Sequence, residues 1–185
     1  MGWPLLLVKY TSNQNSQVDI MQTLKKLIST MPQHGKVDWI GIRPKKRADV
    51  VPVNDIEVSV EQGLTGDHYG GRTRKRQVTL IQAEHLVAIA AYLDIDAVRP
   101  EQLRRNIVVS GINLLALKKQ HVQIGSVTLH MTGPCAPCSR MEEYFGPGGY
   151  NAVRGHGGVT AKVLEGGAIA IGDTVGLVSA PADPD

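Results

Sequence analysis

His121–Met131 reads H-V-Q-I-G-S-V-T-L-H-M, and its patterning decides the fold class. Two runs rich in β-branched residues flank Gly125-Ser126. A two-residue turn that contains glycine is the signature of a tight β-hairpin. The same grammar continues outward. Ile56–Val60 alternates apolar and polar, as a half-buried strand does. Val37, Trp39 and Gly41 alternate with Asp38, Ile40 and Ile42. Gln77–Gln82, Asn106–Val109 and Thr174–Val178 read as further strands. Val159–Leu164, Gly166-Gly167 and Ala168–Ile171 read as a second hairpin.

Helices are fewer. Ala83–Leu93 places Leu86, Ile89, Ala90 and Leu93 on one inward face. Pro100 suits the first turn of a short helix, and Arg140–Phe145 has helical character. Near the start, Trp3–Tyr10 reads as a strand. Ile20, Leu24, Leu27 and Met31 then form one helical stripe, expected to pack in the core and ended by Pro32 and Gly35. Strands and helices do not alternate regularly, which argues against a parallel βαβ sheet. The expected fold is therefore mainly β (α+β): a small closed or nearly closed β-barrel with inserted helices. The expected division is an extension over 1–35, the barrel domain over 36–179 and a flexible tail over 180–185.

Composition narrows the function. The chain has 185 residues, enough to bury a core without covalent staples. Aromatics make up only 4%, which argues against a base-stacking nucleic-acid surface, and a net charge of +3 does not mark one either. Two cysteines exclude a disulfide-stapled module. No apolar run approaches a membrane span, and Leu5–Val8 lacks the flanks of a signal peptide. These features point to a cytoplasmic protein with no membrane or nucleic-acid partner.

Gly133–Glu142, G-P-C-A-P-C-S-R-M-E, carries the most chemistry. It follows a strand and precedes a helix, so a helix start and the Arg140 cation both favour a thiolate here. Cys135 and Cys138 admit four readings: half of a zinc site, a redox dithiol, one soft ligand or sulfur carrier, or two inert buried thiols. Arg104-Arg105-Asn106 precedes a strand. Arginine forks suit phosphate, but adjacent strand residues face opposite ways, so one of the two would reach a given site. Gly63–Gly71 is a glycine-rich loop that carries Asp67 and His68. It runs into Arg72–Arg76, four basic residues in five. Arg154-Gly-His156-Gly157-Gly158 is a similar glycine loop before a strand.

Taken in order, five segments resemble the MOSC domain, the C-terminal domain of molybdenum-cofactor sulfurases that also occurs as small stand-alone bacterial proteins. They are G-L-T-G-D-H-Y, R-Q-V-T-L-I-Q-A-E-H, R-R-N-I-V-V-S-G-I-N-L, the cysteine segment with its preceding strand, and R-G-H-G-G-V-T-A-K-V-L-E-G-G-A-I-A-I-G-D-T-V. The resemblance covers roughly Val37 to Val178. It implies a barrel-like fold and binding of the molybdenum cofactor (molybdopterin), with the reactive cysteine at Cys138. In that view Cys138 is a molybdenum ligand in an oxidoreductase that reduces N-hydroxylated compounds. Alternatively, it carries a persulfide as a sulfur carrier without turnover of its own. Asp67, His68, Arg104, Arg105, Asn106, Arg154, His156 and Gly157 are the residues expected around the cofactor. An electron-donor or sulfur-donor protein is the expected partner. Pyridoxal phosphate is not expected, because the desulfurase half of the long sulfurases has no counterpart here. Many members carry Arg where this chain has Cys135, so the resemblance leaves that residue without a role.

Overall fold

In a computed structural model, residues 23, 24, 26–69, 71 and 73–179 are described. The strand read at Trp3–Tyr10, the position of Ile20 and the tail 180–185 lie outside these residues. The chain divides into two compact units, Met1–Met31 and Pro32–Asp185. In the first, residues 23, 24 and 26–29 are helical, and Leu24, Leu27 and Ile28 are half exposed or more. The expected core packing of Leu24 and Leu27 is thus not what is found. A helical apolar stripe gives the face of a helix, but it does not say what covers that face.

The second unit is a closed barrel of seven strands with one extra strand at its edge. The strands are β1 (Gly35–Ile42), β2 (Val51–Val53), β3 (Asp55–Ser59), β4 (Gly63–Leu64), β5 (Val78–Gln82), β6 (Ile107–Ser110), β7 (His121–Ile124), β8 (Val127–Pro134), β9 (Val159–Glu165), β10 (Gly167–Ala170) and β11 (Thr174–Val178). The order β11-β7-β8-β9-β5-β6-β1 closes where Gly35 and Lys36 pair with Val175 and Thr174. The end of β1 then pairs with β2. The expected hairpin at 121–131 is present: Ile124 pairs with Val127, and Gly125 takes the left-handed φ of +56° that such a turn requires. The hairpin read at 159–171 is not. β9 pairs with β8 and β5, while β10 leaves the barrel and joins β3 and β4 in a separate small sheet. A glycine pair marks a change of direction, and here the chain changes sheet rather than folding back.

Among the described residues one pair is parallel, β5 with β6, joined across α1 (Ala83–Leu93) and α2 (Pro100–Leu103). Such a pair needs a long crossover, and the helices supply it. They also explain why every residue of β5 is buried. Leu80 and Ile107 face the barrel interior, whereas Ile81 and Val108 pack outward with Ile89, Leu103, Met141 and Val153. That outer layer includes α3 (Arg140–Phe145) and α4 (Gly149–Val153). The alternation expected in β1 breaks at a bulge between Val37 and Trp39. Beyond it Ile40 is fully buried, and Trp39 packs against the helical layer.

Candidate functional site

The helical layer lies against β5 and β6, so the ends of these strands, of β8 and of β9 meet at one rim of the barrel. β8 runs out at Pro134, and Cys135–Cys138 is irregular until α3 begins after Ser139. The ladder continues one step past the strands, with Cys135 N–H donating to the Gly158 carbonyl at 2.8 Å. A cleft of about 210 Å³ opens there, lined by the run Pro134–Pro137, Tyr150, Arg154, Gly155, Gly157 and Gly158.

The two thiols are not equivalent. Cys135 is buried and Cys138 is exposed, and neither is in a disulfide. Arg76 places a guanidinium nitrogen 3.7 Å from Cys135 Sγ. No group of three or more His, Cys, Asp or Glu side chains suited to a metal ion occurs among the described residues. Among these residues the C-x-x-C therefore has no further ligands of a four-coordinate zinc site.

Arg105 stands behind this rim, 5% exposed. Its Nε donates to the Gly157 carbonyl at 2.6 Å and Nη1 to the Leu103 carbonyl at 2.8 Å. Nη2 donates to the carbonyls of Cys135 and Ala136, each at 3.4 Å. One planar fork thus binds three chain segments together, a task Arg performs better than Lys. Burial pulls its pKa below the ordinary value, and the nearby thiols of Cys135 and Cys138 oppose that shift. The neighbouring Arg104 does something else. It is not on a strand: it closes α2 in the left-handed region at φ +59° and donates to the Ala48 carbonyl at 2.8 Å. The divergence expected of adjacent strand residues is real, but a helix end produces it.

A second network lies beside the first. Asp67, its side chain 1% exposed, accepts from Arg43 Nη2 at 2.8 Å, from Arg43 Nε at 3.1 Å and from the Arg43 amide at 2.6 Å. Asn106 is fully buried: its Oδ1 accepts from the Thr79 hydroxyl at 2.7 Å and amide at 3.1 Å, and its Nδ2 donates to the Gly41 carbonyl. Arg43 also reaches Asn106 Oδ1 at 3.4 Å. Asp67 and Asn106 thus spend their polar atoms inside the protein. His68 is exposed next to Asp67, and Arg154 is exposed at the cleft. The His156 ring packs against His85 at 4.9 Å and Tyr92 at 5.2 Å on α1. Of the expected residues, Arg154 and Gly157 line the cleft and Arg105 stands behind it, whereas Cys138 follows its last lining residue on this segment, Pro137, and is not itself part of the lining. Asp67 and Asn106 lie buried in the second network, and His68, Arg104 and His156 lie outside the cleft lining. Sequence reasoning passed over Arg43 and Tyr150. Arg43 shows no local motif, because its partners Asp67 and Asn106 lie 24 and 63 residues away.

Residues 61–176 match the MOSC domain family, well over half of the chain. The chain belongs to the MOSC domain family. That family is generally related to the molybdenum cofactor. The resemblance read from the five segments is thereby confirmed. No curated protein matches the chain. Among solved structures, the YuaD protein of Bacillus subtilis superposes with a TM-score of 0.68 at 20% identity, covering 79% of this chain and 97% of that one. YiiM of Geobacillus stearothermophilus gives 0.65 at 18% identity over 80% and 77% of the two chains. YiiM of Escherichia coli gives 0.62 at 19% over 82% and 73%. At these identities the likeness is one of fold, and this MOSC protein shares its barrel with them. No helix among the described residues is long and apolar enough to cross a membrane.

Proposed function

We propose that this MOSC protein binds the molybdenum cofactor, with Cys138 as the ligand to the metal, and reduces N-hydroxylated compounds. The observation that carries the reading is the inequality of the two thiols: Cys138 is exposed and Cys135 is buried. The residues present suit the group. An exposed thiol is a soft ligand, and the exposed Arg76 and Arg154 offer forks for a phosphate. Among the described residues neither arginine is in a salt bridge. When bound, the group supplies a redox metal centre able to accept oxygen from an N–OH bond.

The chain's own residues do the rest. Cys138 Sγ holds the metal end. Arg154 and Arg76 attract the anionic end, while Arg105 keeps the rim in shape by bonding the carbonyls of Cys135, Ala136 and Gly157. Asp67 and Asn106 act one step back by fixing Arg43. Electrons come from a donor protein. The exposure of Cys138 also favours a second reading, a sulfur carrier with a persulfide on that thiol and no turnover of its own.

The test is elemental, pterin and sulfane-sulfur analysis of protein made in cells with an intact cofactor pathway, with pathway-deficient cells as control. The proposal expects molybdenum and pterin in the wild type, loss of both in Cys138→Ser, and most of both retained in Cys135→Ser. Sulfane sulfur without metal would select the carrier. Equal loss in both variants, with stoichiometric zinc in the wild type, would overturn both readings.

A further inference from the structure

Cys135 has no task in the reading above, yet it lines the cleft beside Arg154 and lies three residues from the exposed thiol. The chain contains only these two cysteines. Cys135 is the sequestered sulfur and Cys138 the accessible one, which is the arrangement of a reactive thiol with a resolving neighbour. The segment between them is in no helix or strand. Among the described residues, no backbone hydrogen bond uses the amide of Ala136 or Cys138. The bonds that do hold this segment sit at its ends: Cys135 N–H on the Gly158 carbonyl, Arg105 on the Cys135 and Ala136 carbonyls, and Met141 N–H on the Cys138 carbonyl. Pairing the thiols therefore requires Cys138 and its contact to Met141 to move, bringing the two Cα atoms to within the roughly 7 Å that a disulfide spans. Both sulfurs also lie within Coulombic reach of one buried group, the Arg105 guanidinium.

We propose that Cys135 and Cys138 form a hydroperoxide-responsive pair in which Cys138 is the sulfur oxidised and Cys135 the one that resolves it. In the first step the Cys138 sulfur attacks the outer oxygen of a hydroperoxide. The O–O bond breaks, an S–O bond forms, an alcohol (or water, from hydrogen peroxide) leaves, and Cys138 becomes a sulfenic acid. In the second step the Cys135 sulfur attacks that sulfur. The S–O bond breaks, an S–S bond forms and water leaves with the Cys135 proton. The two thiols together give up two electrons to the peroxide, and an external dithiol returns them. The chemistry needs no cofactor. Its consequence for function, that the disulfide withdraws the ligand or sulfur-carrying thiol, rests on the proposal above.

The experiment uses the full chain from pathway-deficient cells, treated with one equivalent of hydrogen peroxide and read by intact mass and alkylation. The wild type is expected to lose two hydrogen masses as a monomer, to accept no alkylating reagent and to recover both thiols with dithiothreitol. Cys135→Ser and Cys135→Ala should instead gain one oxygen, trapped by dimedone on Cys138. Cys138→Ser should stay reduced at that dose. Two Cys135 variants are used so that a folding defect in one leaves the test intact. A dimedone adduct on Cys138 in the wild type, with Cys135 still open to alkylation, would overturn the proposal. So would disulfide-linked dimers in place of the internal bond. None of these readouts depends on molybdenum, so failure here and failure of the cofactor reading are separate results.

Discussion

β8 belongs to two regions held together in different ways. Its first half forms a hairpin with β7, where Val122, Ile124, Val127, Leu129 and Met131 are fully buried and a local glycine turn sets the register. Its far end, past a register shift between Met131 and Gly133, enters the rim around Cys135. There the apolar alternation stops and one buried guanidinium holds segments that are 30 and 52 residues from it in sequence. The hairpin spreads its stability over many small apolar contacts. The rim concentrates it in a few charge-assisted bonds, which are strong when complete and costly when one partner is lost.

Arg105→Ala is the largest test of this contrast. Several buried carbonyls lose a charged donor at once, so the expected loss is about 3 kcal/mol or more, read by denaturant unfolding. Ile124→Val in the hairpin should cost only about 0.5–1.5 kcal/mol. Arg104→Ala, which gives up a single bond to the Ala48 carbonyl, should cost no more than about 1.5 kcal/mol. Hydrogen exchange at the Cys135 amide should rise in Arg105→Ala and stay unchanged in the other two. If Arg105→Ala is no worse than Arg104→Ala, the rim is not held as described.

The same contrast explains what could be read from the residues. The 121–131 hairpin and the helix at Ala83–Leu93 were legible because each is written in local patterning. The glycine pair at 166–167 misled because a turn signal carries no record of which strand follows as neighbour; β10 finds β3, over 100 residues upstream. The bulge after Val37, which sends Trp39 to the helical layer and Ile40 into the core, has no signature in simple alternation. At the site, the cysteine segment and Arg105 stood out by residue type. That Arg105 turns inward to carbonyls, and that Arg43 needs Asp67, are long-range facts with no local trace.

Gly157 tests how closely the rim is packed. A methyl group there would run into the Cys135 carbonyl and press on Arg105 Nη2 at 3.0 Å. Gly157→Ala should therefore destabilise by about 1–3 kcal/mol, the usual cost of overpacking. It should also make Cys135 react faster with an alkylating reagent while the rate at the already exposed Cys138 changes little. Unchanged Cys135 reactivity would mean that the loop can shift to take the methyl without opening the cleft.

The smallest expected effect concerns pH, and it separates the two regions by their histidines. His85 on α1 faces His156, which Tyr92 also packs against, and has the adjacent Glu84 as a neighbour. Burial first, and then the positive charge of His156, hold the His85 pKa below its ordinary 6.5. On β8, burial and then His121 and Lys162 lower the His130 pKa likewise. In each case the unfolded chain takes up a proton that the folded protein resists. Below about pH 6.5 the unfolded state therefore binds more protons, and stability falls as pH drops through that value toward the lowered folded one. His85→Gln removes one such group and should flatten the decline in Tm between pH 7.5 and 5.5, as should His130→Gln. The two differ in what else responds. Because His156 belongs to the loop that carries Gly157, acidification should raise exchange at the Cys135 amide in the wild type and in His130→Gln, but less in His85→Gln. An equal rise in all three would show that the paired histidines of α1 and the loop do not bear on the rim.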